Sequence, residues 1–264
     1  MPNAQTHLAS VWDLLAQPPL RAAFPWLGEG AAQSAFLLGA ISPDVRAISG
    51  HPREATHFFT IPPGDAPPAE AALFDAHPSL ADAAALGRPH AAFVAGYITH
   101  LIMDRVWVEE VVMPGLFVDG LAWGTRHPNW RLYSLLMTHL EYRAAAQLPA
   151  EAAGLLAAAE PAGWLPFVSD RYLCEWRDHI AACITGGGAR DISAMFARTN
   201  NLTPEALEAI VLDDDRMARE ALDVVGRGRI AAFEAATAEQ AQQAVTGYLS
   251  AGAPHGAGRN RGAS

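Results

Sequence analysis

Cysteine is nearly absent: Cys174 and Cys183 are the only two among 264 residues, too few for a disulfide framework and at the wrong spacing for a thiolate metal site. Both are expected to pack as small apolar side chains. A basic surplus is missing as well. With 18 Lys and Arg against 28 Asp and Glu, the formal charge is −10, which repels phosphate backbones on average, so duplex nucleic acid is not an expected partner. The longest apolar run, about 91–103, is interrupted by His100 and falls short of the ~20 residues a helix needs to span a bilayer. The opening Met1-Pro-Asn-Ala-Gln-Thr-His7 has no basic region followed by an apolar core, so no secretory signal is read and a cytoplasmic location is expected. Period-2 runs of Val, Ile and Thr are scarce too, which argues against sheet.

What is present is alanine, leucine and a 51% hydrophobic content, enough for a sizeable core. The expected fold is all-α: one multi-helix domain over residues 1–250, with a Gly-, Ala- and Arg-rich tail at 251–264 expected to be disordered. Thr6 is placed to cap a first helix that ends at Pro18-Pro19, and a second, near 30–40, stops at Ser42-Pro43. This leaves Asp44 on a turn. Residues 48–68, dense in Pro and Gly, read as a loop with one helical turn, carrying His57. Helices are predicted near 69–86, 89–112 (closed by Pro114-Gly115), 130–147, 151–160, 170–184, 191–198, 204–225 and 230–249. Gly186-Gly187-Gly188 is no phosphate loop, for the lysine and the flanking strand are missing.

The most informative pair is His100 and Asp104, four residues apart in an otherwise apolar helix. At this spacing an imidazole and a carboxylate share one helix face and can grip one ion. A buried Asp104 needs a strong partner, either a metal ion or a basic side chain. Of the ten histidines, His7, His57, His100 and His139 have apolar neighbours. His51, His77, His90 and His127 sit beside proline in turn-like sequence, His179 reads as a helix-surface residue, and His255 falls in the tail. Taken singly, any of the first four fits a hydrogen-bonded core histidine as well as a ligand. Asp213-Asp214-Asp215 reads as a solvated face.

Order and spacing together add a resemblance. The segments Thr6-His7-Leu, Phe36-Leu-Leu-Gly-Ala-Ile-Ser-Pro-Asp44-Val, Thr56-His57-Phe and Ala95-Gly-Tyr-Ile-Thr-His100-Leu-Ile-Met-Asp104 resemble the zinc-dependent phospholipase C and S1/P1 nuclease superfamily, in particular its cytoplasmic bacterial branch. The resemblance covers residues 4–147. It implies an all-helical fold of that type and one metal ion held by Asp44, His57, His100 and Asp104. Zinc suits that nitrogen and oxygen set, which is also acceptable to Mn²⁺ or Fe²⁺. A second ion, shared through Asp104, is implied at His7, but the family's amino-terminal tryptophan is lacking. A third would draw on Glu110 and His139, yet Arg143 stands where another ligand is expected. The sequence thus provides fully for one ion, partly for a second and least for a third.

The activity this implies is phosphodiester hydrolysis by metal-activated hydroxide attacking phosphorus, with Asp44 orienting the water or accepting its proton. A small phosphodiester or phospholipid-like substrate is expected, with Trp107, and beside it Trp123 and Trp130, as candidates to line an apolar groove. Two other classes compete. Glu54-x-x-His57 suggests a ferritin-like di-iron oxidase, although such bundles use the motif twice. Alternatively, a closed coordination sphere simply ties helices together without catalysis.

Overall fold

A computed structural model describes residues 1–65, 67–186 and 189–251. Among these there is no strand, and helix follows helix along the chain: α1 (Ala4–Ala16), α2 (Pro18–Ala23), α3 (Gly30–Ile41), α4 (Arg46–Ser49), α5 (Glu54–His57), α6 (Ala69–Ala76), α7 (Arg88–Trp107), α8 (Trp130–Gln147), α9 (Ala152–Ala157), α10 (Asp170–Thr185), α11 (Arg190–Thr199), α12 (Pro204–Val211), α13 (Asp214–Met217), α14 (Asp223–Val225) and α15 (Arg227–Ala251). The all-α expectation holds. No helix among the described residues is long and apolar enough to cross a membrane.

Helix α7 organises the rest. From Ala91 to Trp107 every residue but Arg105 is buried, and a helix that is apolar all round belongs in the centre of a fold. It packs most extensively against α3 and then α15, while α1 lies against α8 and α3. The α3–α7 crossing is close because each helix presents a glycine to the other. A Cβ on Gly39 would collide with the Phe93 carbonyl, and one on Gly96 with the Phe36 carbonyl. Two backbones in near contact bring the end of α3, and the turn after it, against the middle of α7. One contiguous core runs from Ala4 to Leu249.

Several predicted boundaries move. Helix α1 begins at Ala4, and Thr6 does not cap it: the Thr6 hydroxyl donates to Glu141 instead. The loop at 48–68 does contain one helical turn, α5, and a second, α4, ends at its start. The helix predicted at 69–86 ends at Ala76, before Pro78, and continues as two 3-10 turns. Pro114 and Gly115 do not close the helix after α7; they lie inside a wider, π-helical stretch, Val108–Leu116. Proline lacks the amide donor and crowds the carbonyl four residues back, so the wider register suits it. The long helix predicted at 204–225 is broken, because the Asp213 carboxylate accepts from the Arg216 amide and starts a new helix. Asp213, Asp214 and Asp215 are all exposed, as a solvated face requires, and Asp213 is in addition a cap. Apart from Ala251, the tail lies outside the described residues.

Candidate metal centre

Four elements deliver the predicted ligands to one place. His7 comes from the end of the first turn of α1, Asp44 from the 3-10 turn Ser42–Val45 after α3, His57 from the end of α5, and His100 and Asp104 from α7. His7 Nε2 is 3.4 Å from Asp104 Oδ1, His57 Nε2 is 3.3 Å from Asp44 Oδ1 and 3.4 Å from Asp104 Oδ2, and His100 Nε2 is 3.7 Å from Asp104 Oδ2. The His7 and His100 rings are stacked, with centroids 3.7 Å apart and planes 8° from parallel. Two overlapping groups, His7 with Asp44 and His100, and His57 with His100 and Asp104, have ligand atoms all within 4.8 Å of one another.

Two of the three imidazoles are oriented from behind. His100 Nδ1 donates to the Ala40 carbonyl of α3 at 2.8 Å, a bond available only because the glycine crossing brings that backbone near. With its proton on Nδ1, His100 turns the lone pair of Nε2 toward the carboxylates. His57 Nδ1 lies 3.0 Å from the Thr56 hydroxyl, and the Thr56 carbonyl accepts from the Tyr97 hydroxyl at 2.5 Å. Phe58, at φ +59°, then turns the chain sharply. A bulky residue in the left-handed region costs on the order of 1–3 kcal/mol, which the packing of its ring edge-on to Phe167 helps offset. Helix α1 is held by Glu141 of α8, whose carboxylate accepts from the Gln5 and Thr6 amides and the Thr6 hydroxyl.

Electrostatics follow from burial. His7, His57, His100 and Asp104 are at most 1% exposed, whereas the Asp44 side chain is 28% exposed and is the cluster's edge toward solvent. Burial, and next the neighbouring His7, push the His100 pKa down to about 3. Burial works to raise both aspartates, but the imidazoles outweigh it: the His57 hydrogen bond and the charge of His100 hold Asp44 at about 2, and His100 and His7 hold Asp104 well below the usual carboxylate range. The result is two ionised carboxylates and a neutral His100. The Met1 amino group donates to the Tyr133 hydroxyl, and burial lowers its pKa to about 5.

The sequence reading missed Arg53. Its guanidinium donates to Asp104 Oδ2 at 3.0 Å and to the Phe59 carbonyl at 3.1 Å, and lies 4.4 Å over the Phe59 ring. Asp104 was expected to need either a cation or a basic partner, and it has the basic one on a single oxygen. Its Oδ1, with His7 Nε2 and His100 Nε2, is buried without any hydrogen-bond partner. His7 Nε2 faces Asp104 Oδ1 at 3.4 Å, a poor hydrogen bond, and His100 Nε2 has none; buried polar atoms so weakly paired are what a divalent cation satisfies. The residues present therefore fit one cation.

The other predicted site residues lie elsewhere. Glu110, on the π-helical stretch, and His139, whose Nδ1 bonds the Val211 carbonyl at 3.0 Å, join no ligand group among the described residues. Trp107 lines no groove: it is fully buried, edge-to-face with Phe233 of α15, because its helix face points into the core. Trp123 and Trp130 pack with Tyr133. Glu54 is exposed and outside the cluster, so Glu54-x-x-His57 does not act as a pair. His127 sits in its turn but is buried, against Trp123. Both cysteines are half-buried rather than core. A cleft of about 700 Å³ between α1, α8 and α15 is lined by none of the five cluster residues.

No family model matches this sequence, and no curated protein or solved structure matches the chain.

Proposed function

We propose that the protein is a metal-dependent phosphodiester hydrolase of the phospholipase C and S1/P1 nuclease type, with one zinc-like ion at Asp44, His57, His100 and Asp104, and His7 available as a further donor. The observation that carries this reading is that His7 Nε2, His100 Nε2 and Asp104 Oδ1 are buried without a hydrogen bond beside two groups of His and Asp ligand atoms that lie within 4.8 Å of one another. A divalent cation there supplies a lowered pKa for its water and neutralises charge developing on phosphoryl oxygens. The chain's own groups do the rest. Asp44, ionised and at the solvent edge, accepts a proton from the attacking water or orients it. Ala40 fixes the His100 tautomer, and Asp104 is held by Arg53. That guanidinium offsets one of two negative charges, so an anionic phosphodiester meets less repulsion than two bare aspartates would present.

The test compares wild type with Asp44→Asn on bis-p-nitrophenyl phosphate and on short-chain phosphatidylcholine, with metal counted per chain. We expect turnover with at least one bound cation and a loss of about 10²-fold or more in the variant. Metal-loaded wild type without turnover sinks the hydrolase. A non-catalytic cation that ties α1, α3, α5 and α7 together is the second reading, favoured by one observation: only Asp44 reaches solvent. Under it, zinc raises the melting temperature and neither ester is cleaved.

A further inference from the structure

A second set of ligand-type side chains lies on α10 and α11, outside the buried cluster. His179 and Cys183 are four residues apart on α10 and so share a face. Asp191, in the first turn of α11, meets them. His179 Nε2 is 3.8 Å from Cys183 Sγ, and Cys183 Sγ is 3.5 Å from Asp191 Oδ2. Around a tetrahedral zinc ion, with its usual bond lengths to sulfur, nitrogen and oxygen, neighbouring ligand atoms stand roughly 3.4–3.6 Å apart. The side chains therefore already have nearly the separations that one ion imposes. All three ligand atoms lie within 4.8 Å of one another, and the His179 ring is backed by Trp176, with centroids 5.5 Å apart.

We propose that His179, Cys183 and Asp191 form a second, surface site for a zinc-like divalent cation, with three protein ligands and the fourth position open to solvent. As the sulfur–metal bond forms, Cys183 gives up its S–H proton to solvent, and no oxidant or reductant is involved. A thiolate favours zinc over magnesium or calcium, which prefer all-oxygen sites. The ion ties the end of α10 to the start of α11. The rival description is a weak S–H···O hydrogen bond between Cys183 and Asp191 with no ion at all.

Cobalt separates the two, since it fills zinc sites and gives an intense near-ultraviolet charge-transfer band only with a thiolate ligand. The buried cluster has none. Titrating Co²⁺ into the metal-free full-length protein is expected to raise that band until one equivalent is bound at this site, beyond what the buried cluster takes, and zinc is expected to bleach it. Cys183→Ser abolishes it, while His179→Ala and Asp191→Asn weaken the titration at least about tenfold. Cys174→Ser and His100→Ala leave it intact, so the outcome is independent of the hydrolase reading. Far-ultraviolet circular dichroism checks that the surface variants fold. Absence of the band in wild type, its survival in Cys183→Ser, or its indifference to both His179→Ala and Asp191→Asn overturns the site.

Discussion

The buried cluster beneath α3 and α7 and the surface trio on α10 and α11 use similar side chains under opposite conditions. In the interior three of the five groups are held from behind: His100 by the Ala40 carbonyl, His57 by Thr56, Asp104 by Arg53. On the surface the geometry comes from helix spacing and one ring contact. The difference is physical. An unpaired carboxylate in the interior costs several kcal/mol, so the fold must supply a partner or bind one. At the surface water fills the vacancy, and the ligands can wait for an ion at little cost. Hence the interior cluster is expected to tie metal binding to stability, and the surface trio to do so hardly at all.

The largest test of that contrast is Arg53→Met. In the metal-free protein it strips Asp104 of its basic partner, and we expect a loss of about 3–5 kcal/mol in chemical denaturation, largely restored by saturating zinc. A loss that zinc does not restore breaks the link between Asp104 and a cation. Next comes Gly96→Ala, which drives a methyl group into the Phe36 carbonyl. Overpacking of this kind costs roughly 1–3 kcal/mol, and since the same crossing carries the His100–Ala40 bond, metal affinity should fall with the melting temperature. Glu141→Ala removes the acceptors of the Gln5 and Thr6 amides and the Thr6 hydroxyl and should cost about 1–3 kcal/mol, together with weaker metal binding through the loosened His7. If stability falls while affinity stays unchanged, Glu141 does not position His7.

Acid supplies a smaller and graded test on metal-free protein. The folded pKa of His100, about 3, lies below its ordinary 6.5. Between those values the unfolded chain binds a proton that the folded one refuses, so stability falls as pH falls through that window. Asp44, at about 2 against 3.8, adds a loss of the same sign below pH 3.8. Glu141, raised above 4.5 by burial, acts oppositely and favours the fold as it is protonated. His100→Asn should therefore flatten the melting-temperature profile between pH 6.5 and 3. The smallest effect belongs to Cys183→Ser, which should change metal-free stability by less than about 0.5 kcal/mol.

How much was legible depends on the kind of spacing. His100 with Asp104 was visible because one helix holds both, and the proline after Ser42 correctly put Asp44 on a turn. His179 with Cys183 has the same four-residue spacing, so its signal was present and overlooked: cysteine count was weighed, but not position on a helix face. Arg53 had no such signal. Nothing along the chain says that a residue in a Pro-rich loop pairs with Asp104, 51 positions on. Trp107 was misread for a related reason: three residues after Asp104 it shares a face of α7 with the cluster, and nothing along the chain says that Phe233 of α15 covers it there. The 89–112 helix was found, but its π-helical end depended on local competition around Pro114.

Composition and periodicity determined the helical class, the apolar central helix and the ligand types, because these rest on side chains within a few residues of each other. Only the tertiary structure decided that α1, the turn after α3, α5 and α7 aim their polar groups at one point, that Arg53 takes one oxygen of Asp104, and that Glu110 and His139 stand apart. Those outcomes hang on how closely two backbones approach at Gly39 and Gly96, and that distance is set by packing across the whole core.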